Sequence, residues 1–136
     1  MSAEERARRE QERIIRDRER LRFRVYAATR GVVLATELFR SNFQLHEPEV
    51  VINVYPRYVD VNVSLTEGQF RLLPVLGRTR DLHRFAEELG AGLEKMAATL
   101  ALEWTTDPAR WGGSEPVTLG DVPCGYRAVL LRASRE

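Results

Sequence analysis

The stretch EVVINVYPRYVDVNVSL, residues 49–65, carries the strongest secondary-structure signal in the chain. Apolar, mostly β-branched residues alternate with polar ones on both sides of Pro56-Arg57, and a period of two is typical of strands that bury one face. The alternating apolar positions are Val50, Ile52, Val54, Val59, Val61, Val63 and Leu65. The stretch therefore predicts an antiparallel hairpin that turns at Pro56-Arg57 and places these side chains in a core.

The same alternation predicts an outward face on the hairpin. Its side chains would be Asn53, Tyr55, Tyr58, Asp60, Asn62 and Ser64. Tyrosines among amides are typical of a protein-contact surface, and they equally suit an ordinary solvated sheet face. Both interpretations stay open. A catalytic interpretation is weaker, because the face has one carboxylate and no second acid or base.

Downstream of the hairpin, the pattern predicts a further strand and then a helix. Residues 69–76, QFRLLPVL, are interpreted as the third strand of a meander. Because proline cannot donate to a sheet ladder, Pro74 indicates either an edge strand or an early end of this strand. Thr79 or Asp81 is expected to cap the helix that follows. Its core-facing positions, at helical spacing, would be Leu82, Phe85, Ala86, Leu89, Leu93, Met96, Ala97 and Leu100. Glycines at 90 and 92 would allow a close approach to the sheet.

The C-terminal third and the overall order predict an α+β protein. Residues 125–133, GYRAVLLRA, suggest a last strand, and residues 117–119 a short strand before it. The expected fold has a long N-terminal helix, an antiparallel three-stranded meander, a second amphipathic helix and one or two C-terminal strands. Both helices would lie on one sheet face, which satisfies their apolar stripes.

Upstream of the hairpin, residues 21–42 predict a helix. Its buried face is expected to hold Phe23, Ala27, Gly31, Leu34, Ala35 and Leu38, with these residues beside that face: Val25, Ala28, Val32 and Phe39. Ala27, Gly31 and Ala35 would form a small-residue ridge that packs closely on another element, because a glycine inside a helix otherwise costs about 1 kcal/mol relative to alanine. The alternative is a strand over residues 22–27 with a break at Gly31.

The first 24 residues form what we call the arm, a charged segment expected to continue into that helix. The arm holds nine arginines and six carboxylates, a net charge of +3, whereas residues 25–136 carry −2 and are expected to fold as one α+β domain. Ser2 and Glu5 match a capping box, and Glu4, Glu5 and Glu12 each precede an arginine by four positions, the favourable order for helical ion pairs.

Two interpretations of the arm remain open. It is either a solvated helical extension or a docking element that orders on a partner. Docking would use Arg8, Arg9, Arg13, Ile14, Ile15, Arg16 and Leu21. A coiled-coil seam is poorly supported before Leu21, since Gln11 and Arg18 would occupy knob positions.

Motifs for chemistry are absent from the sequence. His46 and His83 have no ligand partner at metal-binding spacing, and Cys124 is the single cysteine, with no motif that supplies a base. No phosphate-binding glycine loop occurs. The sequence therefore predicts no cofactor and no metal, and it disfavours an enzyme. It contains neither an apolar run of membrane-spanning length nor a signal peptide, so a cytoplasmic protein is expected.

The favoured hypothesis is a structural subunit that self-associates or docks into a larger protein assembly through the arm. The order of elements resembles that of small phage tail-terminator and related ring-forming proteins, without a shared motif. This is an analogy of fold that does not assign a function, and a phage-like particle is one form that the expected assembly could take. The alternative is phosphate contact with a nucleic acid through the arm arginines. The pI near 8.0 is below the value of about 9 that is typical of dedicated binders. Twenty arginines against Lys95 alone indicate a GC-rich genome.

Overall fold

A computed structural model describes residues 2–100, 102–104, 114–119 and 122–134 of the chain. The elements are α1 (Ala3–Leu34), α2 (Glu37–Asn42), β1 (Glu49–Val54), β2 (Tyr58–Thr66), α3 (Glu67–Leu72), α4 (Arg78–Thr99), β3 (Glu103–Trp104), β4 (Ser114–Leu119) and β5 (Val122–Ser134). The chain is α+β, with the long N-terminal helix that the sequence predicts.

The predicted hairpin is confirmed. Strands β1 and β2 pair antiparallel, with Val50 opposite Val63, Ile52 opposite Val61 and Val54 opposite Val59. All the alternating apolar side chains are buried except Val50 and Val54, which are partly buried against the same core. A slip of one residue in this pairing would turn every valine to the other face of the sheet. The burial of one face therefore explains why the alternation is so regular.

Strand β1 lies at one edge of the sheet. The strand order is β1-β2-β5-β3, and β4 also pairs with β5. In the backbone register, Val63 of β2 lies opposite Ala128 of β5. Helix α1 packs on β1 and α4, and α4 contacts β5.

The buried face of α1 differs from the predicted one. Val25, Thr29 and Val33 are fully buried, whereas Ala27, Gly31 and Ala35 are exposed. A β-carbon added at Gly31 would meet nothing within 4 Å, so the ridge is not a tight contact. The prediction failed because the true stripe is β-branched and includes a polar threonine, so a count of apolar residues favours the wrong side of the helix.

The predicted continuous helix to residue 42 is interrupted at Ala35-Thr36. Thr36 has extended backbone angles, φ −68° and ψ 152°, and its hydroxyl donates to the Val33 carbonyl at 2.7 Å. The break redirects the chain so that the Phe39 ring lies 5.2 Å from Phe43 and 5.9 Å from Phe85 of α4, centroid to centroid. The burial of these rings explains why α2 does not continue along the axis of α1.

The prediction of a third meander strand over residues 69–76 is wrong, because helix α3 occupies the start of this segment. The Thr66 hydroxyl accepts from the Gln69 backbone at 3.1 Å, and the Gln69 side chain accepts from the Thr66 backbone at 3.0 Å. This capping box closes the first helical turn directly after β2. The helix buries Phe70, while Val75 and Leu76 in the following loop are 81% and 91% exposed.

Helix α4 begins earlier than expected. Its cap is Gly77, in the left-handed region at φ 84°, so the predicted caps at Thr79 and Asp81 are wrong. Arg78 stabilises this start by donating to the Leu73 carbonyl at 2.8 Å and by stacking 4.5 Å from the Phe70 ring. The core-facing stripe is confirmed at six of its eight predicted positions, with these side chains buried: Leu82, Phe85, Leu89, Leu93, Met96 and Ala97. The other two, Ala86 and Leu100, are half-buried. Gly92 approaches Val32 of α1, not the sheet.

Candidate docking surfaces

The arm extends from the body as an exposed helix. Every side chain from Ser2 to Asp17 is exposed, and Arg18 is the first that is half-buried. The Ser2 hydroxyl accepts from the Glu5 backbone at 3.2 Å, which confirms Ser2 as the cap. At 1.5 Å per residue, this exposed part of α1 is roughly 20–25 Å long.

The ion pairs of the arm differ from those predicted. Glu10 pairs with Arg13, and Glu19 pairs with Arg22, both three positions apart, whereas the sequence suggested pairs four apart. Within the part of the chain that the structure describes, Arg8, Arg9 and Arg16 make no ion pair. These guanidinium groups are therefore available to a partner, whether protein or phosphate.

Ile14 and Ile15 are the main apolar feature of the arm, at 48% and 52% exposed. They precede Val32 and Val33 by 18 residues each, which is about five turns of an α-helix. Val33 is fully buried, and Val32 packs against the core. The isoleucines therefore continue the core-facing side of α1 beyond the body, where nothing described covers them. Leu21, from the same predicted docking set, already packs against the core.

The predicted outward face of the hairpin is only partly accessible. Asn53 is exposed and Tyr55 is 40% exposed, while Asp60 and Asn62 are half-buried on β2. Asn53 lies opposite Asp60 across the strand pair. The Tyr58 side chain lies outside the described residues. The face is therefore open mainly along β1.

A groove of about 400 Å³ lies between α1 and β1. Its lining is Glu19, Arg22, Phe23, Tyr26, Val50, Val51 and Ile52. Phe23 is 72% exposed and Val51 is 56% exposed, both high for apolar side chains. Sequence reasoning missed this groove because it placed Phe23 in the core. The exposed Val51 was visible in the sequence as an apolar residue that breaks the alternation of β1, but it does not reveal the packing of α1 beside the strand.

The described residues contain no group of three or more histidine, cysteine, aspartate or glutamate side chains that could hold a metal ion. His46 lies beside Phe43, and its Nδ1 is 3.4 Å from the Gln69 amide nitrogen. His83 is exposed on α4. Cys124 belongs by its backbone to β5, and its side chain is outside the described part.

One further property of the helices concerns membranes. Over the described residues, no helix combines the length and the hydropathy that crossing a bilayer requires.

Comparison with known proteins adds no relative. No family model, curated protein or solved structure matches this chain. The arm, the groove beside β1 and the open side of the hairpin are the surfaces from which we infer a function.

Proposed function

We propose that this chain is a non-catalytic structural subunit that self-associates or docks into a larger protein assembly through the arm. The observation that carries the proposal is the exposure of Ile14 and Ile15 on the side of α1 that is buried further along. An amphipathic helix normally buries its apolar side, so we infer that another protein surface covers these isoleucines. The assembly would form in the cytoplasm.

The docking contact would centre on the two isoleucines. Complete burial of a fully exposed large aliphatic side chain contributes about 1.5–3 kcal/mol, and Ile14 and Ile15 are each about half exposed. Covering both would therefore contribute roughly 1.5–3 kcal/mol in total. Arg8, Arg9, Arg13 and Arg16 would form its rim and select partners by charge, with guanidinium forks that pair with carboxylates.

The proposal treats residues 25–136 as one body that holds the arm in place. In it, α1 and α4 cover one face of the sheet, and C-terminal strands extend the β1–β2 hairpin. An isolated two-stranded hairpin is marginally stable, and additional strands with a buried face make it independent. The fully buried Val59, Val61 and Val63 of β2 are consistent with a central strand.

The test is the pair of substitutions Ile14→Asp and Ile15→Asp, made together and studied by sedimentation velocity. We expect the assembled species to dissociate at concentrations where the wild type remains associated. The matched control is Ile14→Leu with Ile15→Leu, which keeps apolar area and should keep the assembly. A doubly acidic variant that sediments like the wild type would remove the basis of the proposal.

A second candidate is phosphate contact with a nucleic acid. It is favoured by Arg8, Arg9 and Arg16, which make no ion pair with any described residue. Changing Arg8, Arg9, Arg13 and Arg16 to glutamine would then be more damaging than changing the isoleucines. Binding to immobilised duplex DNA would also fall steeply with salt, by roughly one power of salt concentration per phosphate contact. Retention that is absent at low salt would exclude this candidate.

A further inference from the structure

We propose that the free edge of β1 is a second self-association site, where two copies of this chain pair their β1 strands antiparallel around a two-fold axis. The inference rests on the proposed self-association and adds the edge of β1, flanked by the C-terminal end of the arm, to the exposed isoleucines as a contact surface. The occupant is a second copy, and the contact is a strand pair flanked by α1.

The free edge of β1 offers backbone groups that can form hydrogen bonds with another strand. Among the described residues, β2 is the only strand that pairs with β1. The other side of β1 therefore presents a row of backbone donors and acceptors, which is a template for another strand. Edge strands are usually protected by lysine, proline or a bulge. Strand β1, with the sequence EVVINV, has Glu49 as its one charged residue and no proline, and it pairs with β2 without a register shift.

The groove gives this edge an apolar neighbour. It opens between β1 and the flank of α1 that carries Phe23 and Tyr26. A strand added to β1 would place alternate side chains over this flank and would cover Phe23, which is 72% exposed. An aromatic side chain buries about 150–250 Å² when it is covered, so Phe23 alone would add substantially to the strand contact.

The sequence of β1 selects a second copy because it is complementary to itself. In a two-fold pairing centred on Val51, Val50 lies opposite Ile52 and Glu49 lies opposite Asn53. Apolar residues thus meet apolar residues, and the one carboxylate meets an amide, with no like charges opposed. The net charge of the whole chain is only +1, so repulsion between copies is small.

The size of the contact requires α1 as well as the strand. A standard interface buries about 800 Å² per partner, more than a six-residue strand edge offers. A two-fold axis perpendicular to the sheet keeps both α1 helices on the same side and runs them antiparallel. The flanks bearing Glu19, Arg22 and Phe23 then face the partner and complete an isologous interface.

Cysteine cross-linking in the full chain tests this geometry. Directly opposed residues in an antiparallel pair have Cα atoms about 4.5–5.5 Å apart, within the range that a disulfide spans. In a Cys124→Ser background, we expect Val51→Cys to form a disulfide-linked dimer under mild oxidation. The matched control is Leu45→Cys. The Leu45 side chain is 98% exposed and lies outside β1. Equal cross-linking of the two variants would overturn the inference.

A second variant separates this inference from the proposed function. Val51→Lys introduces an edge-protecting charge at an exposed position, so the chain should fold and lose the β1-mediated dimer in sedimentation. Suppose that Val51→Lys leaves the assembly intact, whereas Ile14→Asp with Ile15→Asp dissociates it. The β1 inference is then wrong, and the proposed function of the arm still stands. If the wild-type chain is monomeric in sedimentation and the Val51→Cys variant forms no disulfide-linked dimer, self-association by either surface is contradicted.

Discussion

Gly92 of α4 and Val32 of α1 are in such close contact that a β-carbon at position 92 would come 2.5 Å from Cγ1 and 3.2 Å from Cγ2 of Val32. A β-branched side chain in a helix has little rotamer freedom, so Val32 cannot readily move aside. The contact sets the separation of α1 and α4. Because α1 also carries the arm, the pairing positions the proposed docking element.

Gly92→Ala should therefore destabilise the protein. Overpacking costs typically ~1–3 kcal/mol, and the higher helix propensity of alanine offsets about 1 kcal/mol of it. The matched control is Gly31→Ala, where the added carbon meets nothing within 4 Å, and where stability should rise by about 1 kcal/mol. Urea unfolding of both variants gives the comparison, and a stabilising Gly92→Ala would contradict the close contact.

Thr29 is fully buried in α1, and its hydroxyl has no hydrogen-bond partner among the described atoms. An unsatisfied buried polar group costs about 1–3 kcal/mol. Thr29→Val keeps the shape and removes the hydroxyl, so we expect a higher free energy of unfolding. A loss of stability in chemical denaturation would mean that the hydroxyl makes a stabilising hydrogen bond.

Val61→Asp should be severely destabilising, because it would bury an unpaired carboxylate where the valine is fully buried opposite Ile52. The expected loss is several kcal/mol. Asn62→Asp serves as a matched control, since Asn62 is the next residue and is half-buried on the other face. Differential scanning calorimetry should show a large fall in Tm only for Val61→Asp; similar falls in both variants would refute the strand register.

Arg30 and Glu47 form a two-point ion pair, with nitrogen–oxygen distances of 2.9 and 2.7 Å, that joins α1 to the loop before β1. The hydrogen bond from Arg30 lowers the pKa of the Glu47 carboxyl. Ionised Glu47 thus contributes stability that is complete above the usual carboxyl pKa and is lost as pH falls through the lowered pKa. NMR titration should show the Glu47 midpoint rising in Arg30→Gln, and an unchanged midpoint would rule out the pair in solution.

The strongest local patterns were sufficient to predict the hairpin and the buried side of α4. Period-two alternation fixes which side of β1 and β2 is buried, and the helical spacing from Leu82 to Ala97 leaves one apolar side for α4. In both cases the predicted core positions are buried, apart from a few at the ends and margins that are half-buried: Val50, Val54, Ala86 and Leu100.

Other elements depended on contacts that periodicity does not reveal. The stripe through Thr29 was missed because one of its members is polar, and Phe23 was misplaced because a phenylalanine at a groove resembles a core residue in sequence. The apolar run after Thr66 suits a strand or a helix by its residue types. The two reciprocal hydrogen bonds between Thr66 and Gln69 stabilise the start of a helix there. The same limit applies to the groove beside β1, which exists only through the packing of two distant segments.

The most direct test of the central claim is deletion of residues 2–19, with melting and mass measured on the same sample. Ile14 and Ile15 are the only large aliphatic side chains in the deleted segment, and both are about half exposed. We therefore expect a folded chain whose Tm is close to that of the full chain and whose assembly is smaller by light scattering. A truncated chain that unfolds, or one that keeps the full assembled mass, would contradict the arm as the docking element.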